Sequence, residues 1–125
     1  MVHSMTFKLV VAGSRDFNNY EYARYVLDHV LQHHLPNVEI VSGKARGGDK
    51  MGELYADERG LPVKDFPANW NQFGKSAGYR RNTEMADYVG FEGGCVCFWD
   101  GKSRGTKHMI DICLDKGIPL RVIHY

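Results

Sequence analysis

At 125 residues the chain has room for one domain with one core and one main site, and none for a separate substrate or regulatory domain. Its 43% hydrophobic and 25% charged residues exclude a disordered chain, and a net charge of only +1 argues against a protein that tracks nucleic acid along a cationic stripe. No apolar run approaches the roughly 20 residues of a membrane span, and the start MVHSMTFK lacks the apolar stretch of a secretion signal, so a cytoplasmic protein is expected.

Met1–Met5 are set apart as a start segment, disordered or foreign to the fold, and the domain is taken as 6–125. Lys8–Ala12 (KLVVA) is a short apolar run ending at Gly13, the pattern of a strand buried on both faces. From Tyr20 to His33, Tyr22, Val26 and Val30 and then Ala23, Leu27 and Leu31 form two adjacent rows spaced by four, one helical stripe. Asn18 or Asn19 can cap that helix and Pro36 ends it. Val38–Val41 reads as the second strand; Asp49 can then cap a helix with Met51, Leu54 and Tyr55 inward, stopped by Gly60. A third strand, Leu61–Phe66, leads into the long loop PANWNQFGKSAG and a short helix around Tyr79–Asp87. Cys95–Phe98 is the fourth strand, Thr106–Lys116 a helix stopped by Gly117, and Pro119–His124 the last strand.

Strands alternating with helices predict βαβ units: a Rossmann-like α/β fold with an open, mostly parallel five-stranded sheet and helices on both faces. In such a sheet ligands bind beyond the carboxyl ends of the strands. The loops there are GSRDF (Gly13–Phe17), SGKARGGD (Ser42–Asp49) and WDGKSRGT (Trp99–Thr106), each with glycine, a hydroxyl and one or two cations, and each opening a helix. Glycine admits close backbone approach, and free N–H groups at a helix start carry about half a positive charge, so this composition suits phosphate. Arg15, Lys44, Arg46, Lys102 and Arg104 lie in these loops and Arg80 and Arg81 open the next helix, seven of the sixteen Lys and Arg. None of the loops is a Walker A motif or a GxGxxG fingerprint, which disfavours a P-loop NTPase and an ordinary NAD enzyme.

The segments AGSRDF around Gly13, VSGKARGGDKMGELYA from Val41, FPANW ending at Trp70, GKSAGYRRNTEMADY from Gly74 and FWDGKSRGTKHMID from Phe98 resemble the SLOG superfamily. That group contains the LOG-type phosphoribohydrolases and the DNA-processing protein A family; the match is nearest to its YspA-like branch of small proteins. The resemblance implies a Rossmann-like domain that binds nucleotides or nucleotide-derived signals, often as a homodimer. LOG-type hydrolases are similar in carrying a PGGxGTxxE segment. Aligned on Gly105 and Thr106, this chain has Lys102 and Ser103 at the glycines and Met109 at the glutamate that serves the sugar chemistry. Methionine neither stabilises a cationic sugar nor activates water, so hydrolysis needs a substitute carboxylate, with Glu84 and Asp100 the candidates carried forward beside Asp49 and Asp87. Arg81 matches the arginine before the family's Met-Ala-Asp segment, implying a phosphate or sugar contact.

The expected ligand-binding set is therefore Gly13, Ser14, Arg15, Ser42, Gly43, Lys44, Arg46, Gly47, Asp49, Arg81, Asp100, Lys102, Ser103, Arg104, Gly105 and Thr106. The expected function is binding of a nucleotide or nucleotide-derived small molecule as sensor or carrier. The alternatives are a phosphoribohydrolase and a binder of single-stranded nucleic acid. No cofactor or metal is expected: Cys95 and Cys97 are too closely spaced for a zinc ribbon and, with Cys113, read as small core residues. Trp70 and Phe73 either stack on a base, anchor their loop or sit in a dimer interface, and Trp99 reads as packing. Asp16 and Asp49 are favoured as caps, and His33, His34 and His108 as surface residues.

Overall fold

A computed structural model of the chain describes residues 6–125, so the start segment Met1–Met5 falls outside the described residues. Strands β1 (Phe7–Gly13), β2 (Val38–Ser42), β3 (Val63–Asp65), β4 (Gly94–Trp99) and β5 (Leu120–His124) form one sheet in the order β3-β2-β1-β4-β5. Every pairing is parallel, with Leu9 opposite Ile40 on one side and Gly94 on the other. The helices are α1 (Tyr20–Leu31), α2 (Gly48–Arg59), α3 (Trp70–Phe73), α4 (Ala77–Val89) and α5 (Arg104–Lys116).

Strand side chains alternate faces, and β1 shows the consequence. Leu9 and Val11 pack with Ile40, Val96 and Phe98 against Ala23, Leu27 and Leu31 of α1 and Tyr55 of α2. Val10 and Ala12 pack with Val41, Cys95 and Cys97 against Met85 of α4 and Met109 and Cys113 of α5. The buried stretches of the central strands, Leu9–Ala12 of β1 and Cys95–Phe98 of β4, are thus apolar throughout because both faces are covered. Leu27 is fully buried, and such a side chain contributes about 2 to 3 kcal/mol relative to exposure. α1 and α2 cover one face, α4 and α5 the other, and the chain changes sides between β1 and β4, the switch point where a doubly wound sheet opens a crevice.

Local signals set most element ends. Asn19 caps α1 by accepting the Tyr22 N–H, and Gly60 and Gly117 end α2 and α5 in the left-handed conformation, each with its N–H on a late carbonyl of its helix. α1 stops at Leu31, two residues short of the expected His33, and both Tyr22 and Leu54 face solvent because the apolar stripes are narrower than their sequence pattern. β3 shrinks to three exposed edge residues, while Leu61 turns into the core before it. The expected long loop is mostly helical: Asn69 accepts the Gln72 N–H to cap α3, a 3₁₀ turn covers Gly74–Ser76, and α4 begins at Ala77. No helix among the described residues is long and apolar enough to cross a membrane. All three cysteines are buried and free, as expected of core residues.

Candidate functional site

Ser14, the first residue after β1, ties the three glycine-bearing loops together. Its N–H donates to the Phe98 carbonyl (2.9 Å), its carbonyl accepts the Gly48 N–H (3.2 Å), and its hydroxyl accepts the Asp100 N–H (3.2 Å). Gly48 rests directly on Gly13; a Cβ on Gly48 would lie 2.3 Å from the Gly13 Cα, so the contact exists only between bare backbones. These links hold open a cleft of about 480 Å³ beyond the carboxyl ends of β1 and β4.

In the loop after β4, the Asp100 carboxylate accepts the N–H groups of Lys102 and Ser103, both at 2.8 Å. Those bonds, Ser103's first, hold its carboxyl below the usual range. Trp99 donates its indole N–H to the Ser103 carbonyl (3.0 Å), the packing role expected of it. Ser103 then caps α5, its hydroxyl 3.5 Å from the Thr106 nitrogen. Arg104 and Gly105 are the first two helical residues, whose N–H groups have no acceptor inside a helix, and both line the cleft. Arg15 reaches the same cleft from the loop after β1.

The loop after β2 is used differently. The Ser42 hydroxyl donates to Glu53 (2.7 Å) and accepts the Lys44 N–H (3.1 Å), and Lys44 pairs with Glu53 at 3.2 Å. Ser42, Gly43, Lys44, Arg46 and Gly47 do not line the cleft, and neither does Lys102. From this loop only Asp49 does. It is not the expected helix cap: Gly47, at φ 77°, takes that position, and Asp49 is the second helical residue, turned inward and 5% exposed. Burial lifts its carboxyl to about 6, against the pull of the Arg81 guanidinium and of the Ala45 and Gly13 N–H groups.

Arg81 comes from α4, donates to the Gly43 carbonyl and to Asn82 Oδ1 (3.1 Å), and is itself pushed down by burial, with Asp49 opposing. Asn82, buried, donates to the Gly105 carbonyl (3.1 Å), so α4 fastens the start of α5. Its amide nitrogen also lies 3.2 Å from His108 Nδ1; with Oδ1 accepting from Arg81, that amide donates, so Nδ1 accepts and the ring is neutral. His108 is half-buried against Tyr79, not the surface residue expected, and burial lowers its pKa.

The cleft thus gathers Gly13, Ser14, Arg15, Asp49, Arg81, Asp100, Ser103, Arg104, Gly105 and Thr106 of the expected set. Glu84 is exposed on α4 outside the cleft, and Asp87 pairs with Lys116 at 2.9 Å, so neither is placed to replace the hydrolase glutamate; Met109 does line the cleft. Arg80, counted with the loop cations, instead stacks over Phe73 and donates to Ser76 Oγ (3.1 Å). Asp16 lines the mouth and accepts the Tyr125 hydroxyl, which replaces the expected turn cap. Lys75, Gly78, Tyr79 and Asn82 complete the wall and were not singled out by sequence. For Asn82 a signal existed: it is the one polar member of the stripe Asn82, Met85, Ala86, Val89 on an otherwise apolar helix face. Among the described residues no group of three or more His, Cys, Asp or Glu is placed to hold a metal.

Sheet order, crossovers and cleft position define a doubly wound α/β protein of the Rossmann type, open at its switch point. More narrowly, the chain belongs to the YAcAr family, the YspA, cpYpsA-related SLOG family, whose model matches residues 7–73. The Gene 61 protein of Mycobacterium phage D29 is similar: it is 30% identical over 122 residues, an alignment covering 90% of this chain and 93% of the phage protein. No solved structure matches the chain with significance.

Proposed function

We propose that the cleft binds a phosphate-bearing nucleotide or nucleotide-derived small molecule, with the protein acting as a sensor or carrier, as a homodimer in the cytoplasm. One observation carries the binding reading: Arg15 and Arg104 enter one cleft from loops after adjacent strands, beside the N–H groups that open α5, which have no acceptor among the described residues of the helix. Guanidinium groups and helix-start amides both recognise phosphate oxygens, and among the described residues no carboxylate pairs with Arg15 or Arg104. Membership of a SLOG family supports a nucleotide-related ligand. The convergence on one cleft favours a small molecule over a strand of nucleic acid, which a cationic stripe would track.

A thermal-shift panel of nucleoside mono- and diphosphates tests the proposal. Ligand at one hundred times its dissociation constant stabilises by about 2.7 kcal/mol, several degrees for a domain this size. Absence of stabilisation by every member would overturn it.

Asp49 favours a second reading, an N-glycosidic hydrolase in which a carboxylate from the opposite loop stands in for the one absent at Met109. It is the buried carboxylate of the cleft, and a group held near 6 can exchange a proton at neutral pH. Release of free base from nucleoside monophosphates, followed by chromatography and abolished by Asp49→Asn, would separate turnover from binding.

A further inference from the structure

The two tryptophans of this chain are placed in opposite ways. Trp99 is partly buried, its indole N–H bonded to Ser103 and its ring 5.6 Å from that of His124. Trp70 opens the four-residue helix α3, lines the cleft and is 55% exposed. An anchor would be covered by the segment it anchors; this indole instead rests on bare backbone, its Cη2 3.5 Å from where a Cβ on Gly78 would stand. Tyr79, also on the cleft wall, is 43% exposed. Large apolar rings left open to water beside a cleft lose nothing on folding that a flat ligand could not restore on binding.

The cleft is therefore chemically divided. Arg15, Arg104 and the α5 amides lie on the loop side, while the α3–α4 side, which also brings Lys75 and Arg81, carries both exposed aromatic rings, Trp70 and Tyr79. Its volume of about 480 Å³ is far more than an inorganic phosphate fills, and falls within the roughly 300 to 1,000 Å³ of ordinary small-molecule sites. α3 is itself held in place: Asn69 caps it, and Arg80 stacks on Phe73 at 4.3 Å while bonding Ser76. A wall fixed on both sides presents its ring without further ordering, which lowers the entropy cost of stacking.

We propose that Trp70, seated on Gly78 and flanked by Tyr79, is a stacking platform for a planar heterocyclic base, so that the ligand is a base-bearing nucleotide and not a sugar phosphate. This rests on the reading of the loop side as a phosphate site, and deepens it by naming what the other half of the cleft takes. Because the base is gripped through its face, purines and pyrimidines are both admitted, with the larger purine face favoured.

Isothermal titration of AMP, GMP, CMP, ribose 5-phosphate and inorganic phosphate against wild type, Trp70→Ala and Trp70→Phe decides the matter. Expected is at least tenfold tighter binding of a nucleoside monophosphate than of ribose 5-phosphate by wild type. Trp70→Ala should weaken that nucleotide about ten- to a hundredfold, leave ribose 5-phosphate within about twofold, and be largely rescued by Trp70→Phe. Equal affinity of wild type for nucleotide and ribose 5-phosphate would overturn the platform while leaving the phosphate site standing. So would a Trp70→Ala protein that loses self-association but keeps its nucleotide affinity, since that is the behaviour of an interface residue. Failure of every phosphate compound to bind wild type would overturn both. Circular dichroism of Trp70→Ala should match wild type, as the removed ring is mostly exposed; if it does not, Trp70 is a structural anchor and the platform is overturned.

Discussion

The loops after β2 and β4, SGKARGGD and DGKSRGT, are near twins in composition and opposites in use. After β4, Asp100 folds the loop back on itself, Ser103 caps the helix, and Arg104 and two helix-start residues face the cleft. After β2, the helix has a glycine cap without a side-chain bond, the lysine is paired with Glu53, and Gly48 is pressed against Gly13. One loop presents charge to the cleft and the other carries the floor on which the cleft stands. What separates them is which backbone meets which, a tertiary fact that composition does not encode.

The sharpest way to break that contrast is to add one methyl group to each loop. Gly48→Ala places a Cβ 2.3 Å from the Gly13 Cα and 2.5 Å from its nitrogen, atoms of a central strand that cannot move aside. We expect a loss of about 3 kcal/mol or more, or failure to fold, in urea unfolding. Gly105→Ala, on the other loop, meets nothing within 4 Å and replaces glycine inside a helix, so it should be neutral or stabilising by up to about 1 kcal/mol. Comparable destabilisation by both would mean that the loop after β2 is not the support.

The layout of the sheet was legible because its signals are local. Short apolar runs gave the central strands, the first of them ending at Gly13, the spacing of Ala23, Leu27 and Leu31 gave α1, and Gly60 and Gly117 marked helix stops; all of these hold. The position of the cleft followed from the parallel order alone. What failed to read through depends on partners distant in sequence. Lys44 and Arg46 looked like Arg104 because nothing beside them tells that Glu53, one helix turn into α2, takes the lysine. Asp49 looked like a cap because a good cap residue stood at a helix start, and only the packing of Gly48 on Gly13 moves the start back and turns Asp49 inward. The stretch before α4 looked featureless because α3 is a single turn, too short for periodicity, held by the Asn69 cap.

Each loop also holds one aspartate of the cleft, and the two should titrate in opposite directions. Asp100 accepts N–H bonds in the open and sits below the usual range, so what it contributes is lost as pH falls. Asp49 is buried and raised from an ordinary 3.8 to about 6. Its folded-state pKa lies above the unfolded one, so the folded protein holds the proton more tightly, and the stability this gives is lost as pH rises from about 4 through about 6. A separation of roughly two pKa units is worth about 3 kcal/mol over that window. Urea unfolding across pH should show this fall in wild type and its absence in Asp49→Asn, and carboxyl NMR should find Asp49 titrating above Asp100. An Asp49 that titrates at or below 4 would mean that the Arg81 guanidinium and the Ala45 and Gly13 N–H groups outweigh burial, and the fall in stability between pH 4 and 6 would be absent.

The smallest effect reads the two cations themselves. If Arg104 contacts the ligand's phosphate, its truncation removes a charge-assisted hydrogen bond worth about 1.5 to 3 kcal/mol, a loss of affinity of about ten- to a hundredfold for Arg104→Ala. Lys44 is 43% exposed and paired with Glu53, a solvent-screened ion pair that adds little to stability, and it lies outside the cleft. Lys44→Ala should therefore leave affinity within about twofold. Both substitutions remove one positive charge, so a long-range electrostatic effect would lower the two affinities alike and would shrink for both as salt is raised. Only a direct contact separates them, and titration of the same nucleotide at two salt concentrations tells which holds. Should Lys44→Ala prove the more damaging, the phosphate contact belongs to the loop after β2 and not to Arg104.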